Sequence, residues 1–103
     1  MGDLHYGIAS AINKLRPIIL KKHADADFIM GCLWYINPTN GYSLERMVQA
    51  QQEIESQCKT WPNSHWLVVV SQLVNAGVAF KLHNYRSATI YLSDVETDLK
   101  KVA

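Results

Sequence analysis

Apolar residues recur along this chain at two kinds of helical spacing. Over 66–82, WLVVVSQLVNAGVAFKL, they fall on every side of a helical wheel. Over 85–102 they fall on one stripe (Tyr85, Ala88, Leu92, Val95, Leu99 and Val102), with Asp94, Glu96, Asp98, Lys100 and Lys101 largely off it. A helix that is apolar all round has to be surrounded, and a helix with one stripe lies against a neighbour. The pattern predicts a central apolar helix over about 65–82 and an amphipathic C-terminal helix over about 85–102, within an all-α compact bundle of four to five helices.

Upstream, 3–20 places Leu4, Ile8, Ala11, Ile12, Leu15 and Ile19 on one face, with Asp3 as N-cap. Pro17 lies inside that pattern, where a missing backbone donor and a ring clash predict a kink or a break. A second element, 25–36, is nearly all apolar (Phe28, Ile29, Met30, Cys32, Leu33, Trp34, Tyr35, Ile36), capped by Asp25 or Asp27, and too short to bury itself. Other helices are expected to cover it. The string Asn37-Pro38-Thr39-Asn40-Gly41 is the clearest turn, because Pro fixes φ and Asn-Gly tolerates positive φ. Ser43 is a good N-cap for a third helix carrying Leu44, Met47, Val48, Gln51, Ile54, Cys58 and Trp61 on one stripe. Its opposite face, Gln49, Gln52, Glu53 and Ser56, is polar. Asn63 or Ser64 caps the central helix, and His83-Asn84 ends it.

Segments 67–70 and 88–92 hold enough β-branched and aromatic residues to be strands. The apolar pattern through Leu82 is longer than a usual strand and its neighbours have helical period, which favours helix. Segment 77–88, GVAFKLHNYRSA, resembles the junction of a tetratricopeptide repeat, where a small residue, an aromatic, a tight turn and a tyrosine followed by alanine join two antiparallel helices. Phe80, Tyr85 and Ala88 occupy the comparable places. The spacing is one residue short of the usual repeat, and the first sixty residues hold no second copy. With the two helices it joins, the resemblance covers about a third of the chain and implies a helical hairpin, not membership of the family.

Composition narrows the function classes. At 103 residues the chain has the size of one domain with one core. A net charge of +1 sets up no global field toward nucleic acid or anionic lipid. Asp3, His5 and Asn13 interrupt any apolar leader, so no signal peptide is expected. Ser71, Gln72 and Asn75 break the central run too often for a comfortable bilayer span. Cys32 and Cys58 sit in no metal-type spacing. They read as reduced, buried thiols, which places the protein in the cytoplasm.

Candidate chemistry is thin. His23, Asp25 and Asp27 in KKHADADF would share a side only on extended backbone; on a helix the two carboxylates stabilise its start instead. Cys58 with His65 would need an orienting third group and a cleft, and Cys58 falls on an apolar stripe. No serine stands in a nucleophile elbow, and the glycines are too scattered for a phosphate loop. Neither an enzyme nor a cofactor or metal site is expected. Lys14, Arg16, Lys21 and Lys22, with His23, form the one basic concentration and supply the alternative reading, a nucleic-acid-associated regulator using the end of the first helix.

The aromatics near turns remain: Trp34, Tyr35, Tyr42, Trp61, Trp66, Tyr85 and Tyr91. A domain of this size does not easily hide them all along with its Ile, Leu and Val. Tyr42 beside Gly41 and Trp61 beside Pro62 are expected to be partly exposed, and exposed Tyr and Trp anchor protein interfaces. The favoured expectation is a small protein-interaction module, whether adaptor, chaperone-like subunit or inhibitor or immunity-type factor. It would bind another protein or itself as a homodimer through Tyr42, Trp61, Gln49, Gln52 and Glu53.

Overall fold

The computed structural model describes residues 2–22 and 26–102, which form five helices: α1 (Gly2–Lys22), α2 (Ala26–Ile36), α3 (Leu44–Thr60), α4 (His65–Lys81) and α5 (Tyr85–Val102). Among the described residues no strand forms, so 67–70 and 88–92 are helical. Val69 and Val70 of the first segment and Ala88 and Leu92 of the second are buried, and their packing outweighs the modest helix propensity of the β-branched residues between and beside them.

The central position of α4 is the organising fact. It packs against all four other helices, which surround it in the order α5, α1, α2, α3. Among the described residues α3 and α5 do not touch, so the surround is open on one side. That gap corrects the reading of α4 as apolar all round. Ser71, Gln72 and Asn75 are only half-buried and Val68 is exposed, and helical spacing puts all four on one face. The apolar Val68 and Ala79 masked this polar strip in the sequence. On the remaining faces Leu67, Val70, Leu73, Val74 and Ala76 have no exposure at all. The stripes of α1, α3 and α5 close on them with Ile8, Leu15, Ile19, Ile54 and Val95.

Helix ends follow local chemistry. Ser43 caps α3, its Oγ accepting from the Arg46 N–H at 3.4 Å. Ser64 stands at the N-cap of α4 without a capping hydrogen bond. At the other end of α4, His83 takes φ +61 in the left-handed region. The Asn84 N–H then donates to the Ala79 carbonyl at 2.9 Å and the His83 N–H to the Phe80 carbonyl at 3.1 Å. These two bonds satisfy orphan carbonyls of the last turn. Asn84 Oδ1 accepts from the Ser87 N–H at 3.3 Å, so the same turn that closes α4 opens α5. The helical hairpin implied by the repeat resemblance is present.

Three local expectations need correction. Asp3 lies inside the first turn of α1, not before it. Pro17 does not break α1, which runs as one helix to Lys22. The carbonyl that Pro17 leaves without a partner belongs to Asn13, which is exposed to water, while Leu15 and Ile19 beside it are fully buried and hold the helix down. The third correction concerns α2, whose cover is incomplete. Ile29, Cys32, Leu33 and Ile36 are buried, but Phe28 and Trp34 remain 42% and 56% exposed.

The last turn of α2 comes close to α4 because position 77 carries no side chain. A Cβ at Gly77 would stand 2.8 Å from Ile36 Cβ and 3.1 Å from the Ile36 carbonyl oxygen. This approach sets where the α2–α3 turn hangs over the end of α4.

Candidate functional site

The α2–α3 turn is tied down by its own amides. Asn37 Oδ1 accepts from both the N–H and the hydroxyl of Thr39, at 3.1 and 2.9 Å. Asn40 Nδ2 donates back to the Trp34 carbonyl at 2.8 Å, and Gly41 takes φ +66. Tyr42 leaves this turn in a fixed direction. Its ring meets Tyr35 edge-on at 4.8 Å, and its hydroxyl accepts from Trp34 Nε1 at 2.6 Å. The guanidinium of Arg46 lies 6.0 Å from the centre of the Tyr35 ring. Three aromatic residues from one helix and one turn are thus locked together at the surface before any partner arrives.

Two hollows open on either side of Tyr35. One, of about 330 Å³, is the groove between α2 and α3; Phe28, Gly31 and Tyr35 face Arg46, Gln49 and Glu53 across it. The other, of about 270 Å³, lies between the α2–α3 turn and the α4–α5 turn, among Tyr35, Pro38, Tyr42, Met47, Phe80 and Tyr85. Behind Phe80 the aromatic row continues to His5 at 6.5 Å, and Tyr85 takes a 2.7 Å hydrogen bond with His83 Nδ1. The N-terminal end of α1, the C-terminal ends of α2 and α4 and the N-terminal ends of α3 and α5 therefore share one aromatic end of the bundle.

The residues expected from sequence divide between the two ends. Tyr42, Gln49 and Glu53 line the two adjoining hollows. Gln52 is exposed on α3 but does not line the groove. Trp61, 55% exposed, stands at the C-cap of α3, about 26 Å from Tyr42 by the length of a 17-residue helix. The sequence points to Trp34 only as one of seven surplus aromatics and does not point to Phe28 as a surface residue at all. The available signal was α2 itself, an 11-residue helix with more large apolar side chains than its short length can turn inward.

Thiol chemistry is weak. Burial, then a 3.5 Å hydrogen bond to Glu53 and the charge of that carboxylate, push the Cys32 thiol up to about 12, so it stays protonated at neutral pH. Burial also raises Cys58, against a hydrogen bond with Ser71 that lowers it and with the charge of Glu55 adding to the rise. Cys58 Sγ donates to the Leu67 carbonyl at 3.7 Å and makes no hydrogen bond with His65 among the described residues. His23 and Asp25 lie outside the described residues. Among the described residues no three of His, Cys, Asp and Glu gather where they would hold a metal ion, and no helix is long and apolar enough to cross a membrane.

Lys14, Arg16, Lys21 and Lys22 are all exposed, toward the end of the bundle opposite the aromatic one. No protein-family model matches the chain, and no curated protein or solved structure is similar enough to it to carry an inference. Fold and surface together define an all-α five-helix bundle with an aromatic face at one end.

Proposed function

We propose that the protein is a non-enzymatic protein-interaction module, an adaptor, chaperone-like subunit or inhibitor or immunity-type factor, that takes a segment of its partner along α2 and the α2–α3 turn. One observation carries the reading: Tyr35 is shared by two adjoining hollows of about 330 and 270 Å³, the first lined by the exposed Phe28 and the second by Tyr42, whose hydroxyl holds the exposed Trp34 beside it. Both hollows lie near the lower end of the size that encloses a small-molecule ligand, about 300 Å³, and suit one anchoring side chain of a partner each. The Trp34–Tyr42 hydrogen bond and the Tyr35–Tyr42 contact fix the rings in advance, which lowers the ordering cost of binding. Gln49 and Glu53 supply a polar rim. The two free cysteines, one of them buried, suit a reducing, cytoplasmic setting.

The test is comparative capture. Wild type, Tyr42→Ala, Trp61→Ala and the double reversal Lys21→Glu with Lys22→Glu are used as baits in an extract of the native host. The reading expects a stoichiometric partner, or a second copy of the chain, that survives the charge reversal and is lost with Tyr42→Ala. Loss with Trp61→Ala as well would mean that the partner lies along the whole of α3. A partner lost only with the charge reversal rejects the surface.

A further inference from the structure

We propose that the seam between α1 and α5 binds the phosphate backbone of a nucleic acid. In sequence, α1 carries Lys14, Arg16, Lys21 and Lys22 with no carboxylate after Asp3. Helical spacing puts Lys14, Ile18, Lys21 and Lys22 on one face. The fold adds what the sequence kept about eighty residues apart. Lys14 and Ile18 share a hollow of about 640 Å³ with Glu96, Leu99 and Lys100, and Lys22 shares a second of about 640 Å³ with His65, Asp98 and Lys101. Lys14 and Lys100 thus flank the α1–α5 seam with apolar Ile18 and Leu99 in it, and Lys22 and Lys101 meet beyond its end, over the start of α4.

Of the seam's two carboxylates, Asp98 is taken by Lys101 at 3.5 Å, which leaves Glu96. Lys14, Lys21, Lys22 and Lys100 make no ion pair among the described residues. The lysines in the last turns of α1 and α5 also complement the helix dipoles, but Lys14 lies two turns upstream, where that effect has decayed. From Lys14 to Lys22 the seam runs about 12 Å, the axial rise of three to four phosphates on one strand of a duplex. Both hollows lie between helices, with the four lysines exposed around them.

Fluorescence anisotropy with labelled single- and double-stranded oligonucleotides of about 20 nucleotides tests this between about 50 and 200 mM salt. Binding is expected to weaken with salt, with a log–log slope of about −3 to −4, the value for four neutralised phosphates. Lys14→Glu and Lys100→Glu, singly, should each weaken binding about tenfold and reduce the slope by about one. Arg86→Glu makes the same charge change in the first turn of α5 and should stay within about twofold of wild type. Because these positions are exposed, circular dichroism should show all three variants folded. Absence of binding at low salt, or equal loss in all three variants, overturns the proposal. Lysine-dependent binding to phosphatidylserine vesicles without binding to either oligonucleotide also overturns it and assigns the seam to a membrane.

Discussion

At the scale of single residues, two glycines in helices make opposite demands. Glycine inside a helix costs about 0.5–1 kcal/mol relative to alanine, so each needs a reason. Gly77 has one: an added Cβ meets the side chain and the backbone carbonyl of Ile36, and backbone does not yield cheaply. Gly77→Ala should therefore lose about 1–3 kcal/mol through overpacking. At Gly31 a Cβ meets nothing within 4 Å, and Gly31→Ala should gain about 0.5–1 kcal/mol. Urea denaturation of the pair measures both; a loss at 31 equal to that at 77 would contradict the close packing of α2 on α4.

Cys32 gives a second residue-scale expectation. Its folded-state value, about 12, stands above the ordinary 9.0, so the folded protein keeps a proton that the unfolded chain releases first. That contribution to stability is complete below pH 9.0 and is lost as pH rises toward about 12. Stability should fall more steeply across this window in wild type than in Cys32→Ala. Equal slopes would show the thiol to be solvated.

At the scale of elements, the period of the apolar positions carried most of the fold. The stripes of α1, α3 and α5 and the caps at Ser43 and His83-Asn84 were legible because each depends on a few neighbouring residues. The bounds of α5 match the expected 85–102. What sequence could not show depends on neighbours distant in the chain. The polar strip of α4 has meaning only once α3 and α5 are seen not to meet. Pro17 is tolerated in α1 because tertiary packing of Leu15 and Ile19 outweighs a lost donor, which no local rule contains. The central role of α4 has a direct consequence. Leu73, fully buried at its midpoint, should cost roughly 2–5 kcal/mol when cut to alanine, from lost transfer energy and an unfilled cavity. The exposed Gln52→Ala should stay within about 0.5 kcal/mol. Similar thermal midpoints for the two variants would mean that α4 is not the centre.

At the scale of the whole molecule, the two ends differ in kind. Aromatic side chains from α1, α2, α4, α5 and the α2–α3 turn gather at one end, while lysines from α1 and α5 flank the other. The candidate site was half legible. Tyr42 stood out because Gly41 precedes it, and Gln49 and Glu53 because they sit opposite an apolar stripe. Phe28 read as part of an apolar helix and Trp34 as one of several surplus aromatics, since nothing local says which face of a uniformly apolar helix will be left uncovered. Lys100 and Lys101 were visible as residues, but their meeting with Lys14 and Lys22 is made by the packing of α5 beside α1.

The claim on which the account turns is that the exposed aromatics of α2 and its turn serve binding and not folding. Trp34→Ala separates the two, because Trp34 is 56% exposed and its ring is held by one hydrogen bond to Tyr42. The decisive measurement is a calorimetric titration of the captured partner, or of the chain's own self-association, into wild type and Trp34→Ala, with thermal midpoints recorded on the same samples. The account predicts a loss of about 2 kcal/mol, roughly a 30-fold weakening, with the midpoint nearly unchanged. An unchanged affinity with a midpoint lowered by several degrees would contradict it and return Trp34 to a purely structural role.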